Sequence, residues 1–510
     1  EQTTMARTLR APLALAAPAM FAVVVALVPL LYLLNTSLQR GLQSAVDELF
    51  VSRTATLVVR SLALTGVVTA ACAIVGTINA WLVVRSSIPL RPVWLMLLAM
   101  PLAIPSYLSA FAWITWLPSL NGFWGATIVL TLASYPYVML PVAAMLRGAD
   151  PQLDDVARSL GVGPMLTLWR VTLQQVAPAI WAGSLLVALY VVSDFGAVAT
   201  MRIETFTWVI YGAYRAGFNP TRAATLSLVL VAVALLLVVV ERRVRGRTAQ
   251  RVGAGTTRST VRRSPMIVTL PATAVALGSI GFGIGVPVVS SIHWMRYGSD
   301  VNWSEVWSTI GASFGVGTLT GIATVLLALP VGILIARFTG RLTTFTEGAV
   351  YVTHSLPGIV IALSVVYFGI SFARPFYQEI PLLVFGQMII FLPLVVGSVR
   401  TSIEQSRSVY EDVSRSLGTS RMMTFFRVTI PLAIPGIAAG GALSVLGAVK
   451  ELPTTLLLRP TEFDTLATSI WKYSSVSDFG AIGPYAVALM LLAALPTAIL
   501  STVTVLKVTR

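Results

Sequence analysis

Twelve stretches of this chain are apolar over about 20 residues or more, near 12–34, 57–84, 92–115, 122–146, 176–199, 221–240, 266–292, 309–336, 348–370, 380–399, 431–450 and 484–506. A helix of that length crosses a hydrocarbon layer about 30 Å thick. Lipid offers no partner to a free backbone N–H, so a chain with twelve such runs has few folds open to it. The pattern predicts an all-α polytopic membrane protein with about 12 transmembrane helices. Composition agrees, because 56% of the 510 residues are apolar and only 11% are charged, against about 25% charged in soluble domains.

Side chains that usually carry chemistry are scarce. The single cysteine, Cys72, excludes an intramolecular disulfide and a CxxC pair. His293 and His354 are too far apart for HExxH, and no lysine lies in a GxxxxGK[ST] phosphate loop. No catalytic residue and no metal-ligand set is assigned. The chain reads as a non-enzyme with no cofactor of its own, so any nucleotide hydrolysis that drives it must come from another polypeptide.

The net charge of +15 is distributed unevenly. If successive loops alternate across the membrane, the face holding both termini and the loop 241–265 carries 24 of the 35 Lys and Arg and 9 of the 20 acidic residues. Positive charge accumulates on the cytoplasmic side of membrane proteins, so both termini are expected there. No RNA-binding motif accompanies the charge, which excludes nucleic acid as a partner and leaves membrane lipid. Residues 241–265, rich in arginine, read as a cytoplasmic linker between a first half, 1–240, and a second, 266–510.

The halves repeat. Sliding the chain by 257 residues sets 153–180, LDDVARSLGVGPMLTLWRVTLQQVAPAI, on 410–437, YEDVSRSLGTSRMMTFFRVTIPLAIPGI, with 13 of 28 positions identical. Each copy reads as an amphipathic helix, a glycine break and a second short helix in a cytoplasmic loop, at 150–175 and 407–431. Asp155 and Asp412 fall in a first turn, where acids suit the helix dipole. Val156 and Leu160, like Val413 and Leu417, fall at i and i+4 on one face. Gly161 and Gly418 are suited to a left-handed C-terminal residue. Met165 and Trp169, matched by Met422 and Phe426, add apolar bulk that fits a groove in a partner.

This pattern is similar to the EAA loop, EAA-x3-G-x9-I-x-L-P, of permease subunits of binding-protein-dependent ABC importers. In the first half Asp155, Val156, Ala157, Gly161, Val171 and Leu173 fall on the motif, with Gln174 at its proline. In the second, Asp412, Val413, Ser414, Gly418, Val428, Ile430 and Pro431 do so. Two six-span halves in one chain most resemble the fused permeases of ferric-iron importers, with thiamine permeases next. The resemblance implies a type I importer fold in the bacterial inner membrane and coupling helices seated on two copies of an ABC ATPase subunit that binds ATP and Mg. It also implies an extracytoplasmic solute-binding protein and ATP-driven alternating access. A carrier driven by an ion gradient is the alternative from another class.

Asp194 and Glu451 also align at offset 257, each at the far end of the fifth run of its half. Carboxylates in or beside a bilayer need water, a partner or a cavity. Two readings stay open. Both residues line a substrate pathway, with Tyr190 nearby as a further oxygen, or each is an interfacial cap or ion-pair partner.

Overall fold

The structure, a computed structural model, describes residues 12–39, 52–86, 88–148, 156–157, 159–215, 219–249, 266–297, 301–353, 356–405 and 409–509, with single positions 41, 43, 47 and 153. No strand occurs among them. The helices of the first half are α1 (Leu13–Leu38), α2 (Ser52–Arg85), α3 (Arg91–Ala99), α4 (Ser106–Trp116), α5 (Gly122–Ser134), α6 (Pro136–Gly148), α7 (Leu173–Ser193), α8 (Gly196–Thr200), α9 (Phe206–Arg215) and α10 (Pro220–Ala249). Then come α11 (Met266–Ile280), α12 (Val286–Tyr297), α13 (Trp303–Arg337), α14 (Arg341–Thr353), α15 (Gly358–Phe372), α16 (Ile380–Gln405), α17 (Val409–Ser416), α18 (Ile430–Lys450), α19 (Pro453–Leu458), α20 (Leu466–Ser475) and α21 (Phe479–Thr509).

Among the described residues nine helical stretches are long and apolar enough to cross a membrane, and eleven if two bent pairs each count once. The remaining expected run, 484–506, lies in α21. The bends depart from the straight runs expected at 92–115 and 348–370. Arg91–Ala103 meets Ser106–Trp116 at 90°, and Arg341–Thr353 meets Gly358–Phe372 at 103°. Each second helix starts from a proline in extended backbone, Pro105 at φ −61° and ψ 146° and Pro357 at φ −59° and ψ 143°. Proline lacks the N–H that would continue a helix and pushes the preceding residue extended. Pro178 and Pro435 nonetheless sit inside continuous helices, so proline alone does not set the bend.

A second departure concerns the linker. The apolar run stops at 240, but α10 continues to Ala249. Polar residues end a membrane run without ending a helix, because Arg and Glu are good helix formers. The rest of the linker lies outside the described residues.

Two compact units form, and neither follows the sequence halves. One comprises 1–45, 220–228 and 302–471, and the other 46–219, 229–301 and 472–510. In the first, Ala19, Ala22 and Ala26 of α1 join a core made by Ala328, Val331 and Leu334 of α13, Val350 of α14, Leu392, Val395 and Val399 of α16 and Ala433 of α18. In the second, Ala272 and Ala276 of α11 join Leu64, Val68 and Cys72 of α2, Val138, Met139 and Val142 of α6 and Val176 and Val187 of α7.

Inside each unit the repeat recurs as a contact. Lipid is as apolar as leucine, so membrane helices associate through close packing of small residues. A Cβ on Gly183 of α7 would lie 2.6 Å from the Val138 Cα of α6, and one on Gly440 of α18 would lie 3.2 Å from the Val395 Cα of α16. Both pairs are related by 257 residues. Gly183→Val should therefore destabilise the chain by about 1–3 kcal/mol, the usual cost of overpacking, lowering the midpoint of thermal unfolding in detergent. Gly212→Ala, whose Cβ meets nothing within 4 Å, should leave that midpoint unchanged or slightly raised.

Candidate functional site

The second repeated loop forms α17, a left-handed turn at Gly418 with φ +83°, and then Arg421–Thr424. A π-helical turn at Phe425–Thr429 carries it into α18. One face of α17 is fastened down. Glu411 is buried and accepts hydrogen bonds from the Arg337 Nε at the end of α13 (3.1 Å) and from the Thr429 hydroxyl (3.2 Å). Arg337 Nη2 also lies 3.1 Å from it. Behind the turn, Ser414 and Thr419 hydroxyls approach to 2.6 Å, and Thr424 lies 3.2 and 3.0 Å from them.

The other face is open and apolar. Leu417 is 79% exposed and Phe426 59%, and Val413 and Met422 are exposed beside them. A buried charged anchor thus lies beneath an exposed apolar surface. Asp412, the residue at the motif acid, is exposed in the first turn of α17, and its neighbour Glu411 makes the ion pair.

The first loop repeats the plan with different chemistry. Gly161 is left-handed at φ +76°, and Leu160 is 76% and Trp169 63% exposed, with Val156 exposed as well. Ala157, the counterpart of Ser414, is buried, and the Thr167 hydroxyl donates to the Gly163 carbonyl at 3.1 Å. Methyl packing here takes the place of the hydroxyl cluster. A π-helical turn at Leu168–Thr172 leads into α7. Asp155 lies outside the described residues, and Met165 falls in the Pro164–Thr167 turn.

Asp194 and Glu451 occupy matched corners. Each ends a long helix in extended backbone, α7 for Asp194 and α18 for Glu451. Asp194 is buried, and its Oδ1 accepts the Ala197 and Val198 N–H groups of α8 at 2.9 and 3.3 Å while its Oδ2 accepts from the Ser106 hydroxyl. Glu451 accepts the Thr454 N–H at 2.9 Å on one oxygen and the Thr455 N–H at 3.0 Å on the other, both from α19. Each carboxylate caps the short helix after its corner. The corners meet the broken spans differently. Ser106 stands after Pro105 against the shorter Asp194, whereas Gly358 stands after Pro357, where a Cβ would come within 3.4 Å of the longer Glu451. Tyr190 is half-buried one turn before Asp194, with its ring 5.6 Å from Tyr137.

Sequence reasoning missed Glu411, Arg337, Ser106 and Gln387. Gln387, buried in α16, accepts from Thr320 at 2.8 Å and donates to Thr455 at 2.9 Å, joining α13 and α16 to the Glu451 corner. A lone buried glutamine in an apolar run was the available signal, since polar groups within membrane spans need partners.

A polytopic helical chain that repeats one anchored loop and one carboxylate-capped corner has the make-up of an integral-membrane transport component. The model of the family described as "Binding-protein-dependent transport system inner membrane component" matches it twice, over residues 72–250 and 328–508. The chain belongs to this family, as a fused two-half permease subunit of an ABC importer and a multi-pass inner-membrane protein. It is 34% identical over 484 residues to the Fe(3+)-transport system permease protein FbpB 2 of Haemophilus influenzae, covering 92% of this chain and 94% of that one. It is 29% identical over 205 residues to the molybdenum transport system permease protein ModB of Mycobacterium tuberculosis, covering 38% and 76%. Over 145 residues it is 23% identical to the molybdate/tungstate transport system permease protein WtpB of Pyrococcus abyssi, covering 28% and 56%.

Glu411→Ala removes the carboxylate on which Arg337 and Thr429 converge, and breaking a buried ion pair costs several kcal/mol. Amide hydrogen exchange across 409–418 should quicken at least about tenfold, while the amides of α7 keep their rates.

Proposed function

We propose that this permease moves ferric iron into the bacterial cytoplasm. The observation that carries the reading is identity of 34% along nearly the whole length of a relative named for Fe(3+) transport, where the molybdenum relatives match only part of the chain. An extracytoplasmic binding protein delivers the metal. Two copies of a separate ATPase subunit, which hold ATP and Mg, seat on the exposed apolar faces around Leu160 and Leu417. Both termini face the cytoplasm, as the charge distribution of the loops supports. Nucleotide-driven movement of the loops passes into α7 and α18 through the π-helical turns and alternates access between the two sides.

Asp194 and Glu451 support the pathway by holding its corners rather than by ligating metal. Each carboxylate is engaged by the short helix that follows it, and among the described residues no group of three or more His, Cys, Asp or Glu surrounds either one. Tyr190 is placed beside the first corner.

Proteoliposomes carrying this chain, its ATPase and its binding protein should take up 55Fe(III) only with ATP, and thiamine not at all. Thiamine uptake without iron uptake would overturn the assignment. Burial of a leucine is worth about 1.5–3 kcal/mol, and 1.4 kcal/mol is tenfold in affinity. Leu160→Ser with Leu417→Ser should therefore weaken ATPase binding at least about a hundredfold, read by co-purification. Full recovery of the ATPase with this double variant would refute the docking surface.

A further inference from the structure

Past each carboxylate corner the chain turns once more before a short helix, α9 in the unit containing 46–219 and α20 after the turn in the unit containing 302–471. The two turns share a frame. The N–H of Phe206, the first residue of α9, donates to the buried Ser61 hydroxyl of α2 at 3.4 Å. That of Leu466, the first residue of α20, donates to the buried Ser313 hydroxyl of α13 at 2.8 Å. Four residues before each amide stands a left-handed residue other than glycine, Arg202 at φ +57° and Glu462 at φ +63°. Two residues before each amide stands a carboxylate, Glu204 or Asp464. Eight residues before each serine, in the first turn of the long helix, stand Arg53 and Glu305.

On this common frame the charge is inverted. At the first turn Glu204 lies 3.4 Å from Arg53 and 3.5 Å from Arg60, and Arg202 is exposed. Three guanidinium groups stand against one carboxylate. At the second, Asp464 is paired with Arg459 and accepts the Thr468 hydroxyl at 3.1 Å, while Glu305 and Glu462 are exposed. Three carboxylates stand against one guanidinium. Arg215 and Lys472, in the last turns of α9 and α20, have the same sign and do not produce the inversion.

The arginine cluster runs against two biases. A cation in the first turn of a helix opposes the helix dipole, and with both termini in the cytoplasm these arginines stand on the outer side, where basic residues are sparse. Exposed charge kept in such a place fits a partner of opposite sign.

We infer that the two turns dock the extracytoplasmic binding protein through charges of opposite sign: the turn with Arg53, Arg60 and Arg202 takes an acidic face of that protein, and the turn with Glu305, Glu462 and Asp464 takes a basic one. The inference rests on the importer reading for its partner but not on the ferric cargo. Unlike signs make the two faces of the binding protein non-interchangeable, because the wrong pairing sets like charges together.

The test uses permease and ATPase in proteoliposomes, with the binding protein of the uptake assay added in solution. In complexes matched for bound ATPase, Arg53→Glu/Arg60→Glu/Arg202→Glu and, separately, Glu305→Lys/Glu462→Lys should each weaken binding at least about tenfold at low ionic strength. Arg53→Lys/Arg60→Lys/Arg202→Lys keeps the charge and should stay within about threefold of wild type. Unchanged affinity in either reversed variant overturns the inference. A carbodiimide, which joins carboxylates to amines, should couple the lysine-substituted turn to carboxylates of the binding protein, and Glu305 and Glu462 to its lysines, in separate regions of its surface. Cross-links from both turns to a single region also overturn it. A wild-type complex that binds this protein but moves no iron refutes the ferric assignment and leaves the affinities and cross-links to decide the docking. Iron uptake with unchanged affinity in the reversed variants refutes the docking alone.

Discussion

A backbone that leaves its helix in a buried place must find hydrogen-bond partners within the protein, and the architecture depends on how two corners meet that demand. At each, a long helix ends and a short one begins, whose first N–H groups have no partner within the helix. Asp194 takes two of them in one unit and Glu451 two in the other. The carboxylates also tie the corners to their surroundings, Asp194 through Ser106 and Glu451 through Thr455 and Gln387. The shorter acid, Asp194, meets a serine of its broken span and the longer, Glu451, meets a glycine.

The repeated loops solve a different problem, that of holding an apolar surface exposed. Exposed Leu160 and Leu417 gain nothing from their own chain, so their orientation has to come from the opposite face. In the second loop that face is an ion pair between Glu411 and Arg337 with a cluster of three hydroxyls. In the first it includes the buried methyl of Ala157. The π-helical turns after both loops, Leu168–Thr172 and Phe425–Thr429, join them to α7 and α18. The helices that end in the carboxylate corners are thus continuous with the loops.

Departures from symmetry are as instructive as the symmetry. Gly183 and Gly440 make equivalent contacts with Val138 and Val395 because close helix approach is required in both halves. The anchors beneath the two loops differ, with a cluster of Ser414, Thr419 and Thr424 hydroxyls in the second and the buried Ala157 in the first.

Apolar run length determined the membrane class and the helices, because a spanning segment must satisfy its own backbone. The 257-residue repeat located both loops, because the polar positions shared at Arg158/Arg415 and Arg170/Arg427 exceed what common apolar composition would produce. Gly161 and Gly418 could likewise be read as left-handed turns, since a glycine placed after an amphipathic turn has few other uses. Only the tertiary structure decided that the runs at 92–115 and 348–370 bend. Pro105 and Pro357 start new helices, whereas Pro178 and Pro435 sit inside continuous ones. The partition into units was equally hidden, since apolar helices such as α1 and α11 carry no mark of which neighbours they will join. Nor could sequence say that Glu411, not Asp412, would be anchored, because adjacent acids differ only in the direction their side chains take from a helix, and that direction is fixed by where Arg337 lies in space.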